Sequence, residues 1–376
     1  MKIAFYYDSI DLGGQQTQTL NIMRELRNMG HELVYLYSYG SVLKPQFDSV
    51  GPTIDLGVKL ESGEYRTNPI KLFRLLVSLR ASLKRANVDY VISGSALGAY
   101  LSGLAAKSLG IQNFWYVGGQ PSQVFPTFLR HFSKIKFDSL INGYFGWQAC
   151  FEELQAVGAS GKKFIPIPSA VDTDLFKKIP SSTSSGLRVN LGIPEDALVI
   201  GWVGRVAENM QVWKTLELFD LISDRYDGDV YLLIVGGGPA LEVFIEKAQE
   251  SEFFEKIVII DWIPYEEVAT YINVMDIVPL LEEDPQGGSI LRETMACGRV
   301  ALSVDGKSGT QRSFMVPGTS VLVNPEDYLN AAVDWILSNS SRSSLDAIGD
   351  NAMNYAVAEM SFSNLAEIFL HGLEGK

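Results

Sequence analysis

The sequence predicts an α/β protein built from two doubly wound, Rossmann-like domains. Three observations carry this. Apolar strand-like runs alternate with helix-like runs from Lys2 onward, and the alternation restarts at Val199. Glycine-rich turns, Gly13-Gly14, Gly118-Gly119 and Gly236-Gly237-Gly238, follow strand-like runs, where such sheets place their ligands. The chain has 376 residues with 47% hydrophobic content, enough for two cores.

Lys2–Tyr7 is an apolar run typical of a buried parallel strand. Gly13-Gly14 then precedes a helix from about Thr17 to Met29, and Gly30-His31-Glu32 turns the chain into the strand Leu33–Tyr37. Ile70–Arg85 reads as a helix, Tyr90–Ser93 and Phe114–Val117 as strands, and Phe164–Pro168 as a short closing strand. The Ser/Thr/Gly-rich stretch Ser181–Gly186 reads as an interdomain linker. Beyond it come the strand Val199–Val203, the helix Gln211–Arg225 and the strand Val230–Val235. Further strands are expected at Ile257–Ile260, Ile277–Leu281, Val300–Val304 and Val321–Val323. Helices at about Tyr328–Asn339, Ser344–Met360 and Ser363–Leu373 close the chain. The expected division is residues 1–183, residues 184–355, and a terminal helix in 356–376 that packs back toward the first domain.

Composition excludes several classes. The net charge is −13, which argues against general nucleic-acid binding. The charge is uneven: residues 1–187 hold 19 Lys and Arg against 14 Asp and Glu, and residues 188–376 hold 12 against 30. The basic excess of the first half leaves room there for an anionic acceptor or membrane surface. No apolar run reaches the roughly 18 to 20 residues of a membrane span. The N-terminus lacks the apolar region and cleavage site of a signal peptide, so a cytoplasmic location, extending to the inner face of a membrane, is expected. Cys150 and Cys297 read as buried free thiols. His31, His131 and His371 are too scattered for a metal cluster.

The strongest chemical signal is Gly287-Gly288-Ser289-Ile290-Leu291-Arg292-Glu293. A glycine pair and a serine open a helix, whose free N–H groups and positive dipole end suit a diphosphate. An acid on the second turn can accept hydrogen bonds from ribose hydroxyls. Two facing domains would put Gly13-Gly14 and this helix on opposite walls of one cleft.

With these motifs in order, the chain resembles the family 4 retaining glycosyltransferases, whose two Rossmann-like domains form the GT-B architecture around a central cleft. The matching series is Gly13-Gly14, Gly30-His31-Glu32-Leu33-Val34, Pro168-Ser169-Ala170-Val171-Asp172-Thr173-Asp174-Leu175-Phe176 and Gly201-Trp202-Val203-Gly204-Arg205. It continues with Gly236-Gly237-Gly238-Pro239, Trp262-Ile263-Pro264-Tyr265, the Glu293 element and Pro317-Gly318-Thr319-Ser320-Val321-Leu322-Val323. The resemblance implies that Arg205, after Gly204, binds the donor diphosphate as a bidentate fork. It implies that Gly287, Gly288 and Ser289 offer N–H groups to the phosphates, with Ile290 beside them. Glu293 would hold the ribose, Ile263 would sit beside the base, Gly236 would line the donor site, and Gly13 and Gly14 would approach the phosphate from the N-terminal wall. No metal or other cofactor is expected, and stabilisation of the leaving diphosphate would be the main catalytic contribution.

The sequence departs from the family at three places. Met210 stands where the family usually carries a lysine beside the phosphates, and Lys214, one helical turn on, could reach back because helical side chains lean toward the N-terminus. Pro285 stands where a glutamate usually contacts the donor sugar, with Glu283, Asp284 and Gln286 as neighbours that a small loop shift would bring in. Gly118, Gly119 and Gln120 occupy the place of a usual histidine on the acceptor side.

Two features have open readings. The basic, apolar segments Ile70–Arg85 and Phe128–Phe137 are either solvated helix faces or a peripheral membrane contact of the N-terminal domain. The aromatics Trp115, Tyr116, Phe125, Tyr144, Phe145 and Trp147 are either core or an acceptor platform. The expected function is transfer of a hexose-type sugar from a nucleotide diphosphate, with retention, to a glycan, lipid or small-molecule acceptor. The alternatives are a catalytically weakened nucleotide-sugar-binding protein or partner subunit, and a sugar-nucleotide epimerase on the same fold.

Overall fold

The computed structural model describes residues 1–11, 14–60, 68–117, 137–147, 149–156, 159–208, 212–283, 285, 288–307 and 309–375. The described chain divides into two compact units. One comprises Met1–Pro168 with Phe362–Lys376, and the other Ser169–Ser361.

The first unit holds a parallel sheet in the order β3-β2-β1-β4-β5-β6-β7. Its strands are β1 (Lys2–Tyr6), β2 (Glu32–Tyr37), β3 (Thr53–Asp55), β4 (Tyr90–Ser93), β5 (Gln112–Val117), β6 (Gly143–Gly146) and β7 (Phe164–Pro166). Apolar runs such as Ile3-Ala4-Phe5-Tyr6 are wholly buried because helices cover both faces of a doubly wound sheet. The described helices are α1 (Gly14–Asn28), α2 (Lys44–Asp48), α3 (Pro69–Ala86), α4 (Ala96–Lys107) and α5 (Ala149–Ala156). Asn68 caps α3 by accepting from the Lys71 N–H at 3.0 Å, and Ser95 caps α4 through the Gly98 N–H at 3.0 Å.

The second unit holds a parallel sheet in the order β10-β9-β8-β11-β12-β13. The strands are β8 (Leu198–Val203), β9 (Val230–Val235), β10 (Ile257–Ile260), β11 (Ile277–Leu280), β12 (Val300–Val304) and β13 (Val321–Val323). Its helices are α6 (Ser181–Asn190), α7 (Val212–Ser223), α8 (Leu241–Ala248), α9 (Val268–Ile272), α10 (Ser289–Ala296), α11 (Tyr328–Asn339) and α12 (Arg342–Glu359). The last helix, α13 (Phe362–Glu374), belongs to the first unit and packs on α1. Phe369 stacks on Phe145 with centroids 4.1 Å apart and meets Tyr116 edge-on at 5.5 Å.

The linker expectation is corrected. Ser181–Gly186 is the start of α6, and the division falls at Pro168 and Ser169 rather than at 183. The reason is packing: Phe176 sits in the core of the second unit, and the Ile179 N–H donates to the buried Asn273 Oδ1 at 3.0 Å. The tail rejoins the first unit at Phe362, because Met360 is still held by the second, where its carbonyl accepts from the Val171 N–H at 2.8 Å. Four of the questioned aromatics, Trp115, Tyr116, Tyr144 and Phe145, are core residues, and Trp147 packs against the same cluster as Trp115. Phe125 lies outside the described residues.

The second sheet is pinned at its N-terminal end by one buried carboxylate. Asp276 Oδ1 accepts from Arg188 Nη2 at 2.8 Å and from Arg342, while Oδ2 accepts from the Val199 N–H at 2.9 Å. Arg188 spends its other N–H groups on the carbonyls of Val274, Glu195 and Ala197 at 2.9 to 3.0 Å. Removing one partner of such a buried set strands the other charges. Asp276→Ala is expected to cost about 3–5 kcal/mol of stability, read by urea unfolding of the whole chain. Asp276→Asn, which keeps an acceptor without the charge, should recover part of the loss.

Candidate functional site

The second unit carries a cavity of about 480 Å³ at the carboxyl ends of β8, β9 and β10. Its walls are Val203-Gly204-Arg205 after β8, Val235 to Gly238 after β9, and Asp261-Trp262-Ile263, Tyr265 and Val268 after β10. The C-terminal ends of parallel strands are where this class of sheet binds ligands.

The glycine turn exists because the backbone must come close. Gly236 has φ +138, and a Cβ there would lie 2.0 Å from the Gly204 carbonyl oxygen. Gly238 has φ +157, and its Cβ would lie 2.1 Å from the Val206 oxygen. Only glycine permits this fold of the loop against the β8 turn. The N–H groups of Gly204 and Val206 donate to the Val235 and Gly237 carbonyls at 3.0 Å, locking the two turns together.

Arg205 is exposed at the cavity wall, and its guanidinium has no carboxylate partner among the described residues. Trp262 presents most of its indole to solvent, being 76% exposed. Ile263 lines the cavity and packs, with Val203 and Ile290, against the apolar cluster beneath it. Ile290 lies in the first turn of α10, so this cluster joins the helix to the cavity floor. Gly288 stands at the N-cap of α10 with φ +141, and no side chain caps that end. Among the described residues no side chain is seen to accept from its first N–H groups.

Glu293, on the second turn of α10, is only 9% exposed. Tyr265 links it to the cavity: its hydroxyl donates to Glu293 Oε1 at 3.1 Å, while its ring meets Phe176 edge-on at 5.5 Å. Burial is the dominant cause that raises the Glu293 carboxyl above its ordinary value, opposed by the Tyr265 hydrogen bond and the Arg292 charge. Burial, with Glu293 next, also raises the Tyr265 phenol, which stays protonated and able to donate.

Lys214 does not line the cavity. Its ammonium reaches forward along α7 to Glu217 at 2.6 Å, and that hydrogen bond is the main cause raising its pKa. The expected lean back toward the phosphates is thus replaced by an i,i+3 pair. Gly14 is the first residue of α1 in the first unit, with open space where a Cβ would stand. Ser289 is exposed at the start of α10, and Pro285 is buried. Gly13, Gly118, Gly119, Gln120, Met210, Asp284, Gln286 and Gly287 lie outside the described residues. Trp262, Tyr265 and Gly238 are cavity residues to which the motif reading assigned no role, although the run Trp262-Ile263-Pro264-Tyr265 marked them. Burial pushes the thiols of Cys150 and Cys297 up to about 11 and about 12, so neither is a nucleophile at neutral pH. Among the described residues no group of three His, Cys, Asp or Glu could hold a metal.

Residues 185–355, which hold this cavity and α10, match the family model "Glycosyl transferases group 1". That segment, just under half of the chain, is similar to the group 1 glycosyltransferases. The chain is 28% identical over 115 residues to 2-deoxystreptamine N-acetyl-D-glucosaminyltransferase of Streptomyces fradiae, covering 29% of this chain and 26% of that protein. It is 27% identical over 236 residues to GDP-mannose-dependent alpha-(1-6)-phosphatidylinositol monomannoside mannosyltransferase of Mycolicibacterium smegmatis, covering 57% of this chain and 53% of that protein. The matches thus span about a quarter to half the length of these curated relatives. Among solved structures, the chain matches HepE of Anabaena in complex with UDP over 100% of both chains, with TM-score 0.77 and 15% identity. A glycosyltransferase from Rickettsia africae gives TM-score 0.79 at 16% identity, covering 100% of this chain and 98% of that one. At such identities the likeness concerns the fold, which is the GT-B architecture.

Two outcomes are expected. Gly236→Ala should cost at least about 1–3 kcal/mol, seen as a lower melting temperature, because neither the Gly204 carbonyl nor the backbone angle can yield. Glu293→Gln tests the buried charge. A raised folded-state pKa means the folded protein holds its proton more tightly than the unfolded chain. Stability is then lost as pH rises from the ordinary value of 4.5 through the folded one. The melting temperature of Glu293→Gln relative to the unsubstituted protein should therefore be more favourable at pH 7.5 than at pH 4.5.

Proposed function

We propose that the protein transfers a hexose-type sugar, with retention, from a nucleotide-diphosphate donor bound in the cavity of the second unit. The observation that carries this reading is the conjunction of an unopposed Arg205 and the Tyr265–Glu293 pair on one glycine-walled cavity. In this reading the base rests on Trp262 and Ile263, and the ribose hydroxyls donate to Glu293 beside Tyr265. The diphosphate meets Arg205 and the uncapped start of α10, whose N–H groups and dipole favour negative charge. Breaking the bond between sugar and phosphate leaves charge on the diphosphate, and donors fixed before that step lower its barrier. Glu293 is kept buried at a cost in stability, which fits a residue retained for binding.

The relatives differ in donor: HepE was solved with UDP and with UDP-glucose, and the mycobacterial relative is named GDP-mannose-dependent. The test is therefore calorimetric binding of UDP and GDP, followed by donor hydrolysis and transfer with UDP-glucose and GDP-mannose. Arg205→Ala should lower turnover by roughly 10²–10³-fold and leave the melting temperature unchanged, since Arg205 is exposed and makes no ion pair with a described residue. Full activity in this variant would place the diphosphate elsewhere. The Lys214–Glu217 pair favours a second reading, because it leaves Arg205 as the only cation on the cavity wall among the described residues. Tight nucleotide binding with no hydrolysis or transfer of any donor would select that reading, a nucleotide-sugar-binding protein.

A further inference from the structure

The turn after β9 holds one glycine that its backbone angle does not require. Gly236 and Gly238 have φ of +138 and +157, whereas Gly237 lies outside that region. Gly237 makes room for a neighbour instead: a Cβ there would lie 2.3 Å from Asp261 Oδ1 and 3.5 Å from the Trp262 Cβ. Asp261 and Trp262, in the turn after the edge strand β10, therefore pack over the middle of the glycine turn. Asp261 Oδ1 also accepts from the Trp262 N–H at 2.7 Å, which holds the carboxylate at the root of the exposed indole. Asp261 is exposed, is the only acid lining the cavity among the described residues, and makes no ion pair with a described residue. A carboxylate on the wall of a cavity that takes a diphosphate opposes binding unless the ligand brings donors to it.

We propose that Asp261 reads the donor base and selects guanine, an inference that rests on the donor-site reading above. Arg205 after β8 and the start of α10 after β11 place the diphosphate toward the middle of the sheet. The base then lies toward the edge strand β10, on Trp262, and its edge meets Asp261. An ionised carboxylate only accepts, and its two oxygens offer about four lone-pair positions. The Trp262 N–H takes one of them. Guanine is the common base with two adjacent donors on one edge, N1–H and the N2 amino group, and this pair matches the two carboxylate oxygens. Uracil presents one N–H between two carbonyl oxygens, one of which would face the carboxylate. Adenine and cytosine present one amino group beside a bare ring nitrogen, whose lone pair would face the second carboxylate oxygen. The charge thus acts as a filter among bases. It repels every nucleotide diphosphate, and only guanine offsets the repulsion with two charge-assisted hydrogen bonds.

The test is calorimetric binding of GDP, inosine diphosphate and UDP to the whole chain, unsubstituted and as Asp261→Asn. The unsubstituted protein should bind GDP roughly 10- to 100-fold tighter than UDP, the span of one bidentate base contact. Inosine diphosphate, which lacks the N2 amino group, should fall between the two. Asparagine keeps an acceptor for the Trp262 N–H, so the melting temperature should hold, but it sets an amide group against the guanine amino group. Asp261→Asn should therefore bind GDP and inosine diphosphate alike. It should also bind UDP more tightly than the unsubstituted chain does, because an amide pairs with the N–H and carbonyl of uracil. The comparison of the three nucleotides on the unsubstituted protein decides the matter even without the variant. UDP bound as tightly as GDP overturns the base assignment and leaves the donor cavity standing. A preference for GDP that persists unchanged in Asp261→Asn overturns it as well. Binding of none of the three overturns the donor-site reading and the base assignment with it.

Discussion

The second unit depends on Asp276. This single buried carboxylate, at the entry to β11, ties the start of β8 to α6 through Arg188 and to the head of α12 through Arg342. The Asp276 main chain continues the tie, its N–H donating to Val199 and its carbonyl accepting from Val300 at the start of β12. Asn273 extends it to the incoming chain, donating to the Lys177 carbonyl and accepting from the Ile179 N–H. Such a buried charge is tolerated because the guanidinium groups of Arg188, Arg342 and Arg299 surround it and the Val199 N–H donates to it. The strand starts are thereby fixed in register at the end of the sheet away from the cavity.

With one end pinned, the other is free to carry features that oppose stability. The carboxyl ends of β8 and β9 turn on glycines with backbone angles closed to other residues, and their main chains approach within atomic contact. Glu293 is held desolvated with a tyrosine hydroxyl as its neutral donor, and Arg205 faces solvent unpaired by any described carboxylate. Strain, buried charge and an unopposed cation gathered around one cavity are the physical marks of a binding site. The chain also leaves this unit beside its point of entry, where Val171 bridges Ser361, and that closes the unit before α13 rejoins the first.

Much of this was legible from residue order. The strands Tyr90–Ser93, Val230–Val235, Ile257–Ile260, Val300–Val304 and Val321–Val323 are read from apolar runs with the bounds they have in the structure. Other elements were hidden for identifiable reasons. Strand β6 is Gly-Tyr-Phe-Gly and looks like a turn, yet Gly143 is there because a Cβ would lie 2.7 Å from the Phe114 ring. Helix α4 is small and buried nearly all round, so it shows no amphipathic period. Helix α6 is rich in Ser and Gly and reads as a linker, but the buried Arg188 near its end anchors it. Lys214 was a phosphate candidate by position, and the local availability of Glu217 took it instead.

By itself the sequence determined the doubly wound class, the alternation of most strands and helices along the chain, and the motifs that resemble those of the group 1 glycosyltransferases. These follow from local patterns: apolar period, turn glycines and helix starts are written in adjacent residues. Only the tertiary structure decided that Tyr265 donates to Glu293, that Trp262 stands exposed at the cavity, and that Arg205 lacks a described carboxylate partner. Only it showed that the Asp261 carboxylate lies against Gly237 at the cavity wall. Those facts depend on which distant segments meet, and on what remains uncovered once the core has formed. Side-chain burial and pairing are set by all neighbours together, and no window of sequence contains them.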